Sequence, residues 1–150
     1  MPNIKREKMI KIGKEYRWEM SHRLQFYNGL CKNIHGHSYK MILELEGEPD
    51  ENGMLLDFYK IDEIVKPLLN EYDHAFVMNK NDREVLEFLK NNNFRYVELD
   101  FNTTCENIAQ HFAQIFKEPF SEFVNLHSLS IRIYETADAY AETKIQLRMS

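Results

Sequence analysis

The stretch His35-Gly36-His37-Ser38-Tyr39-Lys40-Met41-Ile42-Leu43-Glu44-Leu45 repeats every second residue. His35, His37, Tyr39, Met41, Leu43 and Leu45 fall on one side, with Ser38, Lys40 and Glu44 on the other. That is the pattern of a strand with one face against a core. The same alternation occurs upstream, within residues 10–22. There Tyr16, Trp18, Met20 and His22 share a side opposite Glu15, Arg17, Glu19 and Ser21. If the two strands pair antiparallel, the end of the first lies beside the start of the second. That register carries His22 to His35 and His37.

Outward from this pair, Glu48-Pro49-Asp50-Glu51-Asn52-Gly53 is dense in turn formers and ends the second strand. Asp57 caps a predicted helix whose apolar positions are Phe58, Ile61, Ile64, Val65, Leu68 and Leu69, and Pro67 should kink or shorten it. Residues 83–90 read as a short helix closed by Asn91-Asn92-Asn93, and residues 94–99 as a short extended piece. Thr103-Thr104-Cys105-Glu106 has capping-box spacing. It opens a helix with Ile108, Phe112, Ile115 and Phe116 on one face, and Pro119 should stop it. Two further alternations, Leu129-Ile131-Ile133-Glu135 and Ala141-Thr143-Ile145-Leu147, predict a hairpin. Strands in outer pairs with helices between them predict an α+β fold: a four-stranded antiparallel sheet with helices packed on one face.

Composition limits what such a fold does. A chain of 150 residues, 43% hydrophobic and 29% charged, reads as one globular domain spanning 1–150. Its formal charge of −5, with no Lys/Arg run, argues against nucleic acid and favours a small-molecule partner. The opening Met1-Pro2-Asn3-Ile4-Lys5-Arg6-Glu7-Lys8 contains no apolar leader core, and no apolar run is long enough to span a bilayer. The expected location is therefore cytoplasmic, with no membrane partner. Two cysteines in that setting read as thiols or ligands, not a disulfide framework, and Cys105 reads as a small packed residue.

Against that background the segment Cys31 to His37 stands out. It holds one of two cysteines and two of six histidines. With His22, three imidazoles sit where an apolar face runs out, and three neutral imidazoles with one open position suit catalytic zinc. A lone histidine at a strand end is ordinarily just a polar edge residue; three on one face favour a metal site. Cys31 leaves two readings open. As a fourth ligand it would close a structural site; beside the metal it would be a base or nucleophile.

Taken in order, His22-Arg23-Leu24, Cys31-Lys32-Asn33-Ile34-His35-Gly36-His37, Gly53-Met54-Leu55-Leu56-Asp57-Phe58, Asp73-His74, Thr104-Cys105-Glu106-Asn107 and Tyr134-Glu135-Thr136 form a specific set. By that set the chain resembles the 6-pyruvoyl-tetrahydropterin synthase family from about Tyr16 to Glu142. The resemblance implies the tunnelling fold, a homohexamer built as a dimer of trimers, and active sites between subunits. It implies Zn2+ on His22, His35 and His37, with Cys31 as the thiol base, Asp73 and His74 as a proton relay, and Glu135 as the anchor of the pterin ring. The implied substrate is 7,8-dihydroneopterin triphosphate. Three residues between the cysteine and His-Gly-His resemble the 6-carboxytetrahydropterin synthases of the queuosine and deazapurine pathway, whereas pyruvoyl-forming members usually have a longer spacing. Arg23 and Lys32 lie near enough in sequence to serve the triphosphate. Glu19 and Asp138 depart from the usual family pattern on either side of the pocket. The alternatives are the pyruvoyl-forming reaction and a non-catalytic, zinc-stabilised binding domain.

Overall fold

The computed structural model describes residues 8–149. The opening segment, for which no apolar leader core is expected, lies outside them apart from Lys8. The elements run β1 (Ile10–His22), β2 (His35–Gly47), α1 (Phe58–Tyr72), β3 (Ala75–Asn79), α2 (Arg83–Asn91), β4 (Tyr96–Leu99), α3 (Cys105–Ser121), β5 (Leu126–Tyr134) and β6 (Tyr140–Gln146). β1 and β2 pair antiparallel along their full lengths, with His22 opposite His35, Met20 opposite His37 and Trp18 opposite Tyr39. Cross-strand partners share a face. The alternation therefore buries Trp18, Met20, Tyr39, Met41, Leu43 and Leu45 together and leaves Glu19, Ser21, Gly36 and Ser38 on the other side.

The sheet has six strands, not four, in the order β4-β3-β1-β2-β5-β6. β3 joins β1 in parallel through Met20 and Ser21 alone, and β4 joins β3 in parallel, so the sheet is mixed. β4 falls within the short extended piece read at residues 94–99, whereas β3 shows no alternation because Ala75, Phe76, Val77 and Met78 are all buried. A strand covered on both faces shows no period of two. The same burial corrects the expectation of helices on one face. Val77 enters the main core with α1 and α3, while Phe76 and Met78 pack on Val85, Leu86 and Leu89 of α2. Neighbouring residues of a strand point to opposite faces. α2 therefore covers the face opposite α1 and α3.

The helices explain their own limits. Asp57 caps α1, its carboxylate accepting from the Tyr59 N–H. Pro67 does not end α1, which runs on to Tyr72 with Ile61, Val65, Leu69 and Tyr72 buried. Pro67 faces solvent, and water can satisfy the carbonyl that it leaves without a partner. α3 likewise passes Pro119 and ends at Ser121, which puts Phe120 behind Phe112 and Phe116 in a line of tilted rings. Ile115 is outside that face and exposed. The cap of α3 is Thr104, whose hydroxyl accepts from the Asn107 N–H at 3.2 Å. Thr103 and Glu106 make no capping box, because Thr103 is turned inward.

Candidate metal centre

The three histidines converge because of the register just described. His22 closes β1, while His35 and His37 open β2 on the same face. Their rings lie 4.6 to 5.3 Å apart between centroids. One ligating nitrogen from each falls within 4.8 Å of the others, a set able to hold a metal ion. Among the described residues neither Cys31 nor Glu135 joins that set.

Each ring's other nitrogen bears on the question. His22 is 1% exposed, and its Nδ1 lies 2.8 Å from the Thr103 carbonyl and 3.2 Å from the Thr103 hydroxyl. His35 Nδ1 lies 2.7 Å from the Asn33 carbonyl. A carbonyl can only accept, so Nδ1 carries the proton in both rings and Nε2 keeps its lone pair. The Nε2 atoms of His35 and His37 are buried with no hydrogen-bond partner. Buried polar atoms rarely stay unsatisfied, and a divalent ion would satisfy these. Burial pushes the pKa of His22 down to about 4; the Thr103 bond opposes this shift, and the neighbouring His35 and His37 add to it. Burial likewise lowers His37, against the Glu135 carboxylate. Neutral imidazoles at neutral pH are the form that ligates a metal.

Glu135 follows β5 and turns its carboxylate toward the same pocket, 3.4 Å from His22 Nε2 and 3.7 Å from His37 Nε2. Its N–H closes the β5–β6 turn on the Ala139 carbonyl. Cys105 is buried as expected, its thiol donating to the Ile133 carbonyl, and burial beside Glu135 pushes its pKa up to about 11. Cys31 lies half-buried in a single 3-10 turn over Leu30–Lys32, and its carbonyl accepts from the N–H of Leu24, two residues past His22. Arg23 is committed elsewhere: its guanidinium makes two bonds to Asp82, at 2.6 and 2.5 Å.

Asp73 and His74 pair with one another at 3.0 Å, but not with the histidine cluster. They sit at the turn from α1 into β3. There the Glu19 N–H donates to Asp73, and the His74 N–H donates to the Glu19 carbonyl at 2.6 Å. His74 holds a left-handed backbone with φ 60°, which a non-glycine residue adopts only where its surroundings impose it. Its side chain is 74% exposed and lines a cavity of about 310 Å³ with Glu19, Ser21, Gly36, Ser38 and His37. Glu19, Ser21, Gly36 and Ser38 lie on the opposite face of the β1–β2 ladder from the three histidines, yet His37 borders this cavity too.

Thr103, which backs the His22 ring, is not evident from sequence, because no spacing rule identifies a loop carbonyl as a partner.

Comparison with known proteins follows this geometry. Residues 11–146 match the family model described as 6-pyruvoyl tetrahydropterin synthase. The chain belongs to that family. Among members of the 6-pyruvoyl tetrahydropterin synthase family, the 6-carboxy-5,6,7,8-tetrahydropterin synthase of Haemophilus influenzae is 33% identical over 142 residues, covering 89% of this chain and 98% of that protein. A protein of Pyrococcus horikoshii named as a putative 6-carboxy-5,6,7,8-tetrahydropterin synthase is 34% identical over 144 residues, 87% of each chain. Among solved structures, the Plasmodium falciparum 6-pyruvoyl tetrahydropterin synthase superposes with a TM-score of 0.73 at 18% identity, over 92% of this chain and 98% of that one. The Caenorhabditis elegans enzyme superposes with 0.66 at 25% identity, over 91% and 95%. The fold is that of the family.

Proposed function

We propose that this protein converts 7,8-dihydroneopterin triphosphate to 6-carboxy-5,6,7,8-tetrahydropterin, releasing acetaldehyde and triphosphate, and that it does so with zinc on His22, His35 and His37. The observation that carries this reading is a pocket with three ligating nitrogens and no thiol among them. A closed structural site of the Cys/His kind would need the Cys31 sulfur as its fourth ligand. The Haemophilus and Pyrococcus relatives, and the three-residue spacing from Cys31 to His35, support the carboxy-forming branch over the pyruvoyl-forming one.

The chain's own residues divide the chemistry. Zinc bound there would supply Lewis acidity to the hydroxyls of the substrate side chain. The Nδ1 bonds of His22 and His35 fix both rings with their lone pairs turned inward. Cys31 is tied back to Leu24 at the end of β1 and is the base that takes a carbon-bound proton from the side chain. Glu135 borders the open side of the pocket, and its carboxylate can accept two N–H bonds from the guanidine-like edge of the pterin, which sets the ring's depth. His74, oriented by Asp73, moves a second proton. In this chain the Asp73–His74 pair makes no hydrogen bond to the histidine cluster, and a relay supplied by a second copy fits that separation. The site then forms between subunits of a trimer-based homohexamer, and the outer edge of β6, with that of β1 before Met20, suits that assembly.

The experiment is a product assay. Purified protein incubated with 7,8-dihydroneopterin triphosphate should release acetaldehyde and triphosphate and yield the carboxy product. Triphosphate without acetaldehyde would reassign the reaction to pyruvoyl formation. Absence of turnover with zinc bound would favour the binding-domain reading.

A further inference from the structure

We infer that Asn107 and Asn102 are positioning residues for His22: a chain of carboxamides holds the turn at Asn102 and Thr103 so that the Thr103 carbonyl accepts a hydrogen bond from the Nδ1–H of His22, which leaves its Nε2 lone pair turned toward His35 and His37. The inference rests on the metal reading above.

Residues 100–104 join β4 to α3 and belong to no ladder, so the backbone there has no regular hydrogen bonds to hold its direction. Side chains hold it instead. The Asn107 carboxamide donates to the Asn102 carbonyl at 2.9 Å, from the third position of α3. The Asn102 side-chain oxygen accepts from the Asn79 carboxamide at the end of β3, also at 2.9 Å. The Asn107 N–H donates to the Thr104 hydroxyl, which anchors the residue on the far side of Thr103. Thr103 thus lies between two pinned neighbours, 1% exposed, with its carbonyl and hydroxyl both facing His22. A buried carbonyl aimed at one ring nitrogen selects a single tautomer of the neutral imidazole. Partners of this kind are typically worth ten- to a hundredfold in metal affinity.

Asn107→Asp separates positioning from mere structure. A carboxylate in the first turn of α3 is favourable to the helix. It also sets an acceptor against the Asn102 carbonyl in place of a donor. If Asn107 is only a helix residue, melting temperature should hold or rise and zinc affinity should stay the same. If it positions His22, the metal-free protein should melt as before, while zinc affinity, measured by competition with a chromophoric chelator, falls about tenfold or more. The same variant, free of metal, should show His22 leaving the Nδ1–H tautomer in long-range proton–nitrogen spectra. Unchanged affinity with an unchanged tautomer overturns the inference. Should the variant not fold, the spectrum of the metal-free natural protein decides alone: His22 protonated on Nε2 overturns it. A natural protein that takes up no zinc overturns the metal reading instead, and the tautomer comparison still tests the positioning.

Discussion

The histidine cluster and the Cys31 thiol answer to different losses. His35 Nε2 is buried and without a partner, so His35→Ala removes a ligand and should abolish most zinc uptake while β2 still pairs with β1. Cys31 lies outside the ligand set, so Cys31→Ala should keep about one zinc per chain and lose turnover by a hundredfold or more, the scale of a positioned proton-transfer group. Metal analysis of the two purified variants, alongside acetaldehyde release, checks both. Zinc lost from the Cys31 variant would make the thiol a ligand and the site a closed one. The histidines are legible from sequence because alternation and the antiparallel register are both simple rules, and they place His22 across from His35. Thr103 is not legible: its threonine, followed by another and then by Glu106, looks like a cap, and only the path of the 100–104 turn shows that the next residue does the capping.

At the scale of elements, the Asp62 carboxylate ties α1 to β1 near the middle of the strand. Asp62 accepts from the Tyr16 hydroxyl at 2.7 Å and meets the Lys14 ammonium at 2.6 Å. The bonds from Lys14 and Tyr16 hold its pKa below the ordinary aspartate range. The unfolded chain therefore binds this proton first as pH falls. The contribution of Asp62 is present in full above that range and is lost as acid carries the solution below about pH 4. Asp62→Asn should cost about 1–2 kcal/mol at neutral pH, discounted for the partial exposure of both partners, and should flatten the acid limb of the stability profile. Urea titrations of both proteins at several pH values measure it. An equal acid sensitivity in the variant would assign that limb to other carboxylates. The long strands and helices are legible because each has one buried face. β3 is hidden for the opposite reason, since burial on both faces erases the period, and with it the cue that α2 crosses to the other side of the sheet.

At the scale of the molecule, the proposed relay stands apart from the histidine cluster within one chain. The Asp73–His74 pair makes no bond to that cluster, although His37 and His74 border one cavity. If the relay acts on a neighbour's substrate, Cys31→Ala and His74→Ala, each inactive alone, should regain activity once mixed, unfolded and reassembled together, because hybrid interfaces join an intact thiol to an intact relay. No recovery in verified hybrids would place both groups in the same chain's site. Two stretches of strand edge carry a further implication. Among the described residues β1 is paired on its outer side only at Met20 and Ser21, and β6 on that side not at all. A bare edge will accept almost any extended chain. Here Lys11, Glu15 and Arg17 mark the one edge, and Glu142 and Lys144 the other. Each of these charges already meets an opposite one within the sheet: Lys11 on Glu44, Arg17 on Glu15, Glu142 on Arg132 and Lys144 on Glu46. A strand arriving at either edge would therefore meet neutralised pairs, and what it could gain there is backbone hydrogen bonding.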